Sequence, residues 1–149
     1  MRKFIRYSLL VFVLFISVNS WGDTPKSLWQ KFNPQRFQAE MEQYITTQAM
    51  LTPEESAKFF PVYRELMQKQ RAIFEEMHSY YYTDLSNGRA CMHAVQRMDA
   101  LDLQMKKLQQ IYHNKFLKIL PAKKVFLVIR AEEKFHRQAF KRMAEDKKN

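Results

Sequence analysis

Residues 86–112 read SNGRACMHAVQRMDALDLQMKKLQQIY, and this stretch decides the fold. Ser86-Asn87-Gly88 breaks a helical pattern, and Asn-Gly is a turn signal. Beyond it, Cys91, Ala94, Met98, Leu101, Met105, Leu108 and Tyr112 recur at alternating steps of three and four, which is a heptad seam. Upstream, Phe59, Phe60, Tyr63, Leu66, Met67, Ile73, Phe74, Met77, Tyr80 and Tyr81 follow a helical period, interrupted only by Pro61, where a bend is expected. Two helices of about 30 residues, each roughly 45 Å long, joined by a short turn must lie antiparallel as a long hairpin.

Working outward, the upstream helix opens on Leu51-Thr52-Pro53-Glu54-Glu55. Thr52 can accept a hydrogen bond from the N–H of Glu55, and the Glu55 carboxylate can reach back to the N–H of Thr52. This is a capping box with Pro at the first helical position. Asn33-Pro34 starts a shorter helix through Phe37, Met41, Tyr44 and Ile45 to about Gln48. After Leu120, Pro121 restarts the chain as a first helical residue. The last helix is expected to bury Val125, Val128, Ile129, Phe135, Ala139, Phe140 and Met143. The expected fold is all-α: a long antiparallel hairpin plus two shorter helices. A slender hairpin has more apolar surface than two short helices can cover, so a second subunit or a binding partner is expected on it.

Composition agrees. The chain has 149 residues, two Gly, one Cys and a formal net charge of +10. So few glycines argue against turn-rich β folds and Gly-rich phosphate loops, and one Cys excludes an intrachain disulfide or a Cys-only metal site. Residues 1–22 carry Arg2, Lys3 and Arg6, then an apolar run from Tyr7 to Val18, then small residues at Ser20 and Gly22. This is the layout of a secretory signal peptide, and the run is too short for a membrane span. It leaves 23–149 as a single helical domain, loosely ordered at 23–33 and 146–149, acting in an oxidising compartment such as the periplasm. Its loss would lower the net charge by three.

The two starts, Leu51-Thr52-Pro53-Glu54-Glu55 and Leu120-Pro121-Ala122-Lys123-Lys124, in a basic, four-helix, signal-bearing chain resemble the periplasmic LTxxQ family, which includes Spy and CpxP. Glu55 stands where the family has Gln. The second motif lacks the Thr and has Lys in the Gln region. The resemblance covers roughly residues 34–145. It implies a Spy/CpxP-like curved antiparallel homodimer with a basic, partly apolar face that holds unfolded clients without ATP or docks on a sensor protein. Leu51, Thr52, Pro53, Glu55, Leu120 and Pro121 are read as structural caps.

The residues expected to carry binding lie on the last helix. Arg130, Lys134, Arg137 and Lys141 form a stripe with Lys123 on the same side, roughly opposite the apolar face, and Phe126 and Leu127 adjoin it. Such a surface can capture acidic segments by charge and hold them by weak apolar contacts. The plainer reading is a solvated face with pairs such as Glu133 to Arg137. Methionines at helical positions (Met67, Met77, Met92, Met98, Met105, Met143) fit mostly in the core. His78 and His93 lie symmetrically about the turn, and with Cys91 could bind zinc, copper or nickel near the hairpin tip. Cys91 could instead form an intersubunit disulfide. His136 is expected to pair with Glu132, one turn away.

No constellation for catalysis is visible, so the chain is expected not to be an enzyme and to have no resident cofactor. The expected function is a periplasmic chaperone or stress protein holding non-native or acidic protein segments as a homodimer. The alternative is a regulatory subunit of an envelope-stress or metal-responsive sensor. Nucleic acid is not an expected partner, and contact with a membrane surface is a weaker option.

Overall fold

The computed structural model describes residues 33–146. The expected signal peptide, the lead-in at 23–32 and the tail at 147–149 lie outside them. The order is α1 (Pro34–Ala49), α2 (Pro53–Ser79), a 3₁₀ turn (Tyr80–Tyr82), α3 (Gly88–Ile119) and α4 (Ala122–Asp146). The described residues contain no strand, and none of their helices is long and apolar enough to cross a membrane. The all-helical reading is correct. The two outer helices are the shorter ones, as expected, with 16 residues in α1 and 25 in α4 against 27 in α2 and 32 in α3. Asp146 is helical, inside the segment expected to be loose.

The chain divides into two compact units, one formed by residues up to Ser56 together with those from Leu120, the other by Ala57–Ile119. In the first, α1 packs on α4. Asn33 caps α1, its Oδ1 accepting from the N–H of Arg36 at 3.0 Å. Met50 ends α1 in the left-handed region at φ 50° and ψ 48°. The N–H of Leu51 reaches back to the carbonyl of Thr46 at 3.0 Å, and that of Met50 to Thr47 at 3.4 Å. This is a Schellman closure built without the usual glycine. The core holds Met41, Ile45, Ala49, Leu51, Leu120, Val125, Val128, Ala131, Phe135 and Ala139. Phe135 sits between Phe37 (centroids 5.2 Å) and Tyr44 (5.6 Å). Ile129, expected inside, is half-exposed, while Ala131 and His136 are buried. The side chains of Phe140 and Met143 lie outside the described set.

The second unit is the antiparallel hairpin. Its register is read from cross-helix pairs: Phe59 against Phe116 at 4.8 Å, Glu65 with Lys115 at 3.7 Å, Glu76 with Arg97 at 2.6 Å, and Tyr80 beside His93. Phe59, Tyr63, Leu66, Ile73, Phe74 and Met77 of α2 are buried, as are Ala94, Leu101, Met105, Tyr112 and Phe116 of α3. Each of the large aliphatic and Phe side chains among them contributes roughly 1.5–3 kcal/mol by leaving water. The heptad seam is therefore the inward face of α3, buried at Ala94, Leu101, Met105 and Tyr112, half-buried at Cys91, Met98 and Leu108, and extended one turn to Phe116. Of the methionines expected inside, Met77 and Met105 are buried, Met67 and Met98 half-buried, and Met92 exposed.

The turn is made differently from the sequence expectation. Asn87-Gly88 does not form it. Asp84 does, its Oδ1 accepting from the N–H of Ser86 at 2.9 Å, with the N–H of Asn87 closing on the carbonyl of Asp84 at 3.1 Å. Asn87 then caps α3, accepting from the N–H of Ala90 at 3.1 Å, and Gly88 is the first helical residue.

Candidate functional site

The two Leu-led starts meet in the first unit. The capping box forms as expected: the N–H of Thr52 donates to Oε2 of Glu55 at 2.8 Å, and the N–H of Glu55 donates to Oγ1 of Thr52 at 3.1 Å. Lys124 Nζ lies 2.5 Å from the same Glu55 oxygen and donates to the carbonyl of Met50 at 2.9 Å. Thus the fifth residue of one start is ion-paired with the fifth of the other, and Leu51 and Leu120 are both buried beneath them. The bond from Lys124 holds the Glu55 carboxyl below the usual carboxylate range. Lys124 was not singled out in the sequence. The available signal was the opposite charge at matching positions of two similar motifs. Pro121 is not the first helical residue: α4 begins at Ala122, and the Pro121 carbonyl accepts from the N–H groups of Lys124 and Val125. A proline has no side-chain acceptor, so this helix lacks the cap that Thr52 supplies to α2.

On α4 the cationic stripe is where the helical period puts it. Lys123, Arg130, Lys134, Arg137 and Lys141 are exposed, on the side away from Val125, Val128, Phe135 and Ala139. Phe126, on the same helix, is 61% exposed. Leu127 is half-exposed. Lys123, Arg130, Lys134 and Arg137 form no ion pair among the described residues, so the pairing of Glu133 with Arg137 is not made. Lys141 approaches Glu145 at 3.8 Å with both side chains largely in water, a contact of little energy.

Beside the stripe, α1 and α4 form an open groove of about 700 Å³. Its lining includes Tyr44 and Phe135, the amides of Gln43 and Gln138, and the cations Lys141 and Arg142. Lys141 belongs to both surfaces. The groove was not legible in the sequence, because it depends on how α1 lies on α4.

His136 is buried, at 4% exposure. Its ring lies 6.1 Å from those of Phe37 and Phe135, and its Nδ1 has no hydrogen-bond partner among the described residues. Burial pushes its pKa down to about 4. In the hairpin, Lys69 at 2.8 Å and Lys115 hold Glu65, whose pKa falls to about 2, chiefly through the bond from Lys69. Both lysines also lie over the ring of Tyr112, at 5.4 and 4.2 Å.

The tip does not gather His78, Cys91 and His93. His78 lies among Tyr81 and Tyr82, His93 lies against Tyr80, and the Cys91 thiol donates to the carbonyl of Asp84 at 3.6 Å. Among the described residues no three His, Cys, Asp or Glu side chains are placed to hold a metal ion. The physical reason is register: Tyr80, not His78, lies across from His93, so the histidines are two positions out of step and point to different neighbours. Cys91 is half-buried. The tip instead exposes Tyr81, Tyr82, Leu85, Met92 and Val95.

No family model, curated protein or solved structure matches the chain.

Proposed function

We propose that this chain is a periplasmic, Spy/CpxP-like protein-binding stress protein that holds non-native or acidic protein segments without ATP. The observation that carries this reading is the row of exposed cations on α4, Lys123, Arg130, Lys134 and Arg137, which form no ion pair among the described residues, with an exposed Phe126 on the same helix. Unscreened charge speeds encounter with acidic segments, and a small apolar contact gives weak, reversible retention. The leader-like residues 1–22 and the two Leu-led helix starts support the compartment and the kinship. A homodimer belongs to the same reading. The regulatory alternative, one sensor partner in place of many clients, draws on the exposed tip residues Tyr81, Tyr82 and Leu85. Its metal-responsive version has no gathered ligand set behind it.

The test is aggregation of a chemically denatured client on dilution, at low salt and without nucleotide. The protein suppresses aggregation at up to equimolar ratio, and the triple variant R130E/K134E/R137E loses most of this effect while keeping its helical circular dichroism. No suppression of any acidic client, or an undiminished effect in the triple variant, overturns the reading. A pull-down that returns one envelope protein in stoichiometric amount favours the regulatory alternative.

A further inference from the structure

We infer that the groove between α1 and α4 is a peptide-binding site, and that its ligand is an extended acidic segment of a non-native protein carrying an aromatic or large aliphatic side chain beside a carboxylate. This rests on the protein-binding reading and assigns it a place and a ligand chemistry.

Three features of the groove set that chemistry. Its floor is apolar: the half-buried ring of Tyr44 packs at 5.6 Å on Phe135, and Phe135 is 4% exposed. The two rings are tilted by 51° to each other, and this aromatic floor accepts a side chain laid against Tyr44 and offers nothing that protrudes into a lipid layer. Its walls carry Gln43 and Gln138, whose amides both donate and accept hydrogen bonds and so suit a peptide backbone. Its charges are unequal. Glu40 is occupied by Arg36 at 2.8 Å, Glu145 is loosely matched by Lys141 at 3.8 Å, and Arg142 is exposed with no ion pair among the described residues. One guanidinium is therefore available for a carboxylate, with bidentate geometry. Lys134, one turn before Gln138, extends the positive rim toward the stripe.

The same carboxylates argue against a dense polyanion. A nucleic-acid strand presents charge at every phosphate and would set some of it against Glu40 and Glu145. A peptide spaces its carboxylates and offers N–H donors to those two acids. A peptide thus satisfies all three features, whereas a phosphate polymer is repelled by one of them.

The experiment is calorimetric titration of the purified protein with a short N-acetylated peptide alternating Asp with Phe and Leu. Comparison peptides replace Asp by Lys, or Phe and Leu by Ser. The acidic apolar peptide binds, and either replacement weakens it. Arg142→Glu weakens binding about tenfold, roughly the loss of one charged contact. Gln138→Glu weakens it in the same direction. Arg89→Glu, an equal charge change on the hairpin, changes it by less than about twofold. All three positions are exposed, so the variants test binding and not folding. Equal weakening by Arg89→Glu, or none by Arg142→Glu and Gln138→Glu, overturns the groove assignment. Absence of peptide binding with client protection intact overturns the groove alone. Absence of both removes the protein-binding reading as well.

Discussion

Met50 stands in the left-handed region, with φ 50° and ψ 48°, a conformation that costs a side-chain-bearing residue about 1 kcal/mol or more. Its side chain is exposed, so nothing is lost by removing it. Met50→Gly is expected to raise stability by about 1 kcal/mol, read from urea unfolding. Gly88 presents the reverse case. It is helical, and a Cβ there meets nothing within 4 Å, so Gly88→Ala is expected to stabilise by about 0.4–1 kcal/mol. His136 supplies a pH dependence. Its pKa is lowered from 6.5 to about 4 in the folded chain. Below pH 6.5 the unfolded chain takes up a proton that the native imidazole refuses until about pH 4. Stability contributed by this site is therefore full above pH 6.5 and is lost as pH falls toward 4. Between pH 7 and pH 5 the loss is about 2 kcal/mol, and His136→Leu is expected to remove it. The held carboxylates Glu55 and Glu65 act lower, losing their contribution as pH falls below the ordinary Glu range near 4.5.

At the scale of elements, the starts of α2 and α4 are one device. Thr52 closes the capping box of α2, and Lys124 binds both Glu55 and the end of α1 at Met50. Thr52→Ala is expected to cost about 1 kcal/mol. Lys124→Met is expected to lower the thermal midpoint, since it leaves the Glu55 carboxylate with its box alone. Restoration by the charge-swapped pair Glu55→Lys with Lys124→Glu is not expected, because lysine cannot accept the N–H of Thr52. In the hairpin, Phe116 lies under Phe59, Tyr63 and Tyr112 at 2% exposure. Phe116→Ala is expected to cost roughly 3–5 kcal/mol by cavity formation.

For the whole molecule, the proposed activity depends on charge that the fold leaves unneutralised. Raising ionic strength from 0.01 M toward 1 M shortens the screening length from about 30 Å to about 3 Å. Client protection is therefore expected to fall steeply over that range while helix content stays constant. Much of this was written locally. The seam from Cys91 to Tyr112, the capping box at Thr52 and the cationic period of α4 are each set by residues within a few turns of one another, and all-helical structure follows from them. Local patterns do not determine how one helix registers on another. The tip shows this: a symmetric count from the turn pairs His78 with His93, whereas packing of Phe59 on Phe116 and the Glu76–Arg97 bridge place Tyr80 there. The partnership of Glu55 with Lys124, the burial of His136 and the groove floored by Tyr44 and Phe135 belong to the same class. Each joins residues far apart in the chain, and only the close packing of side chains from separate helices decides which of them meet.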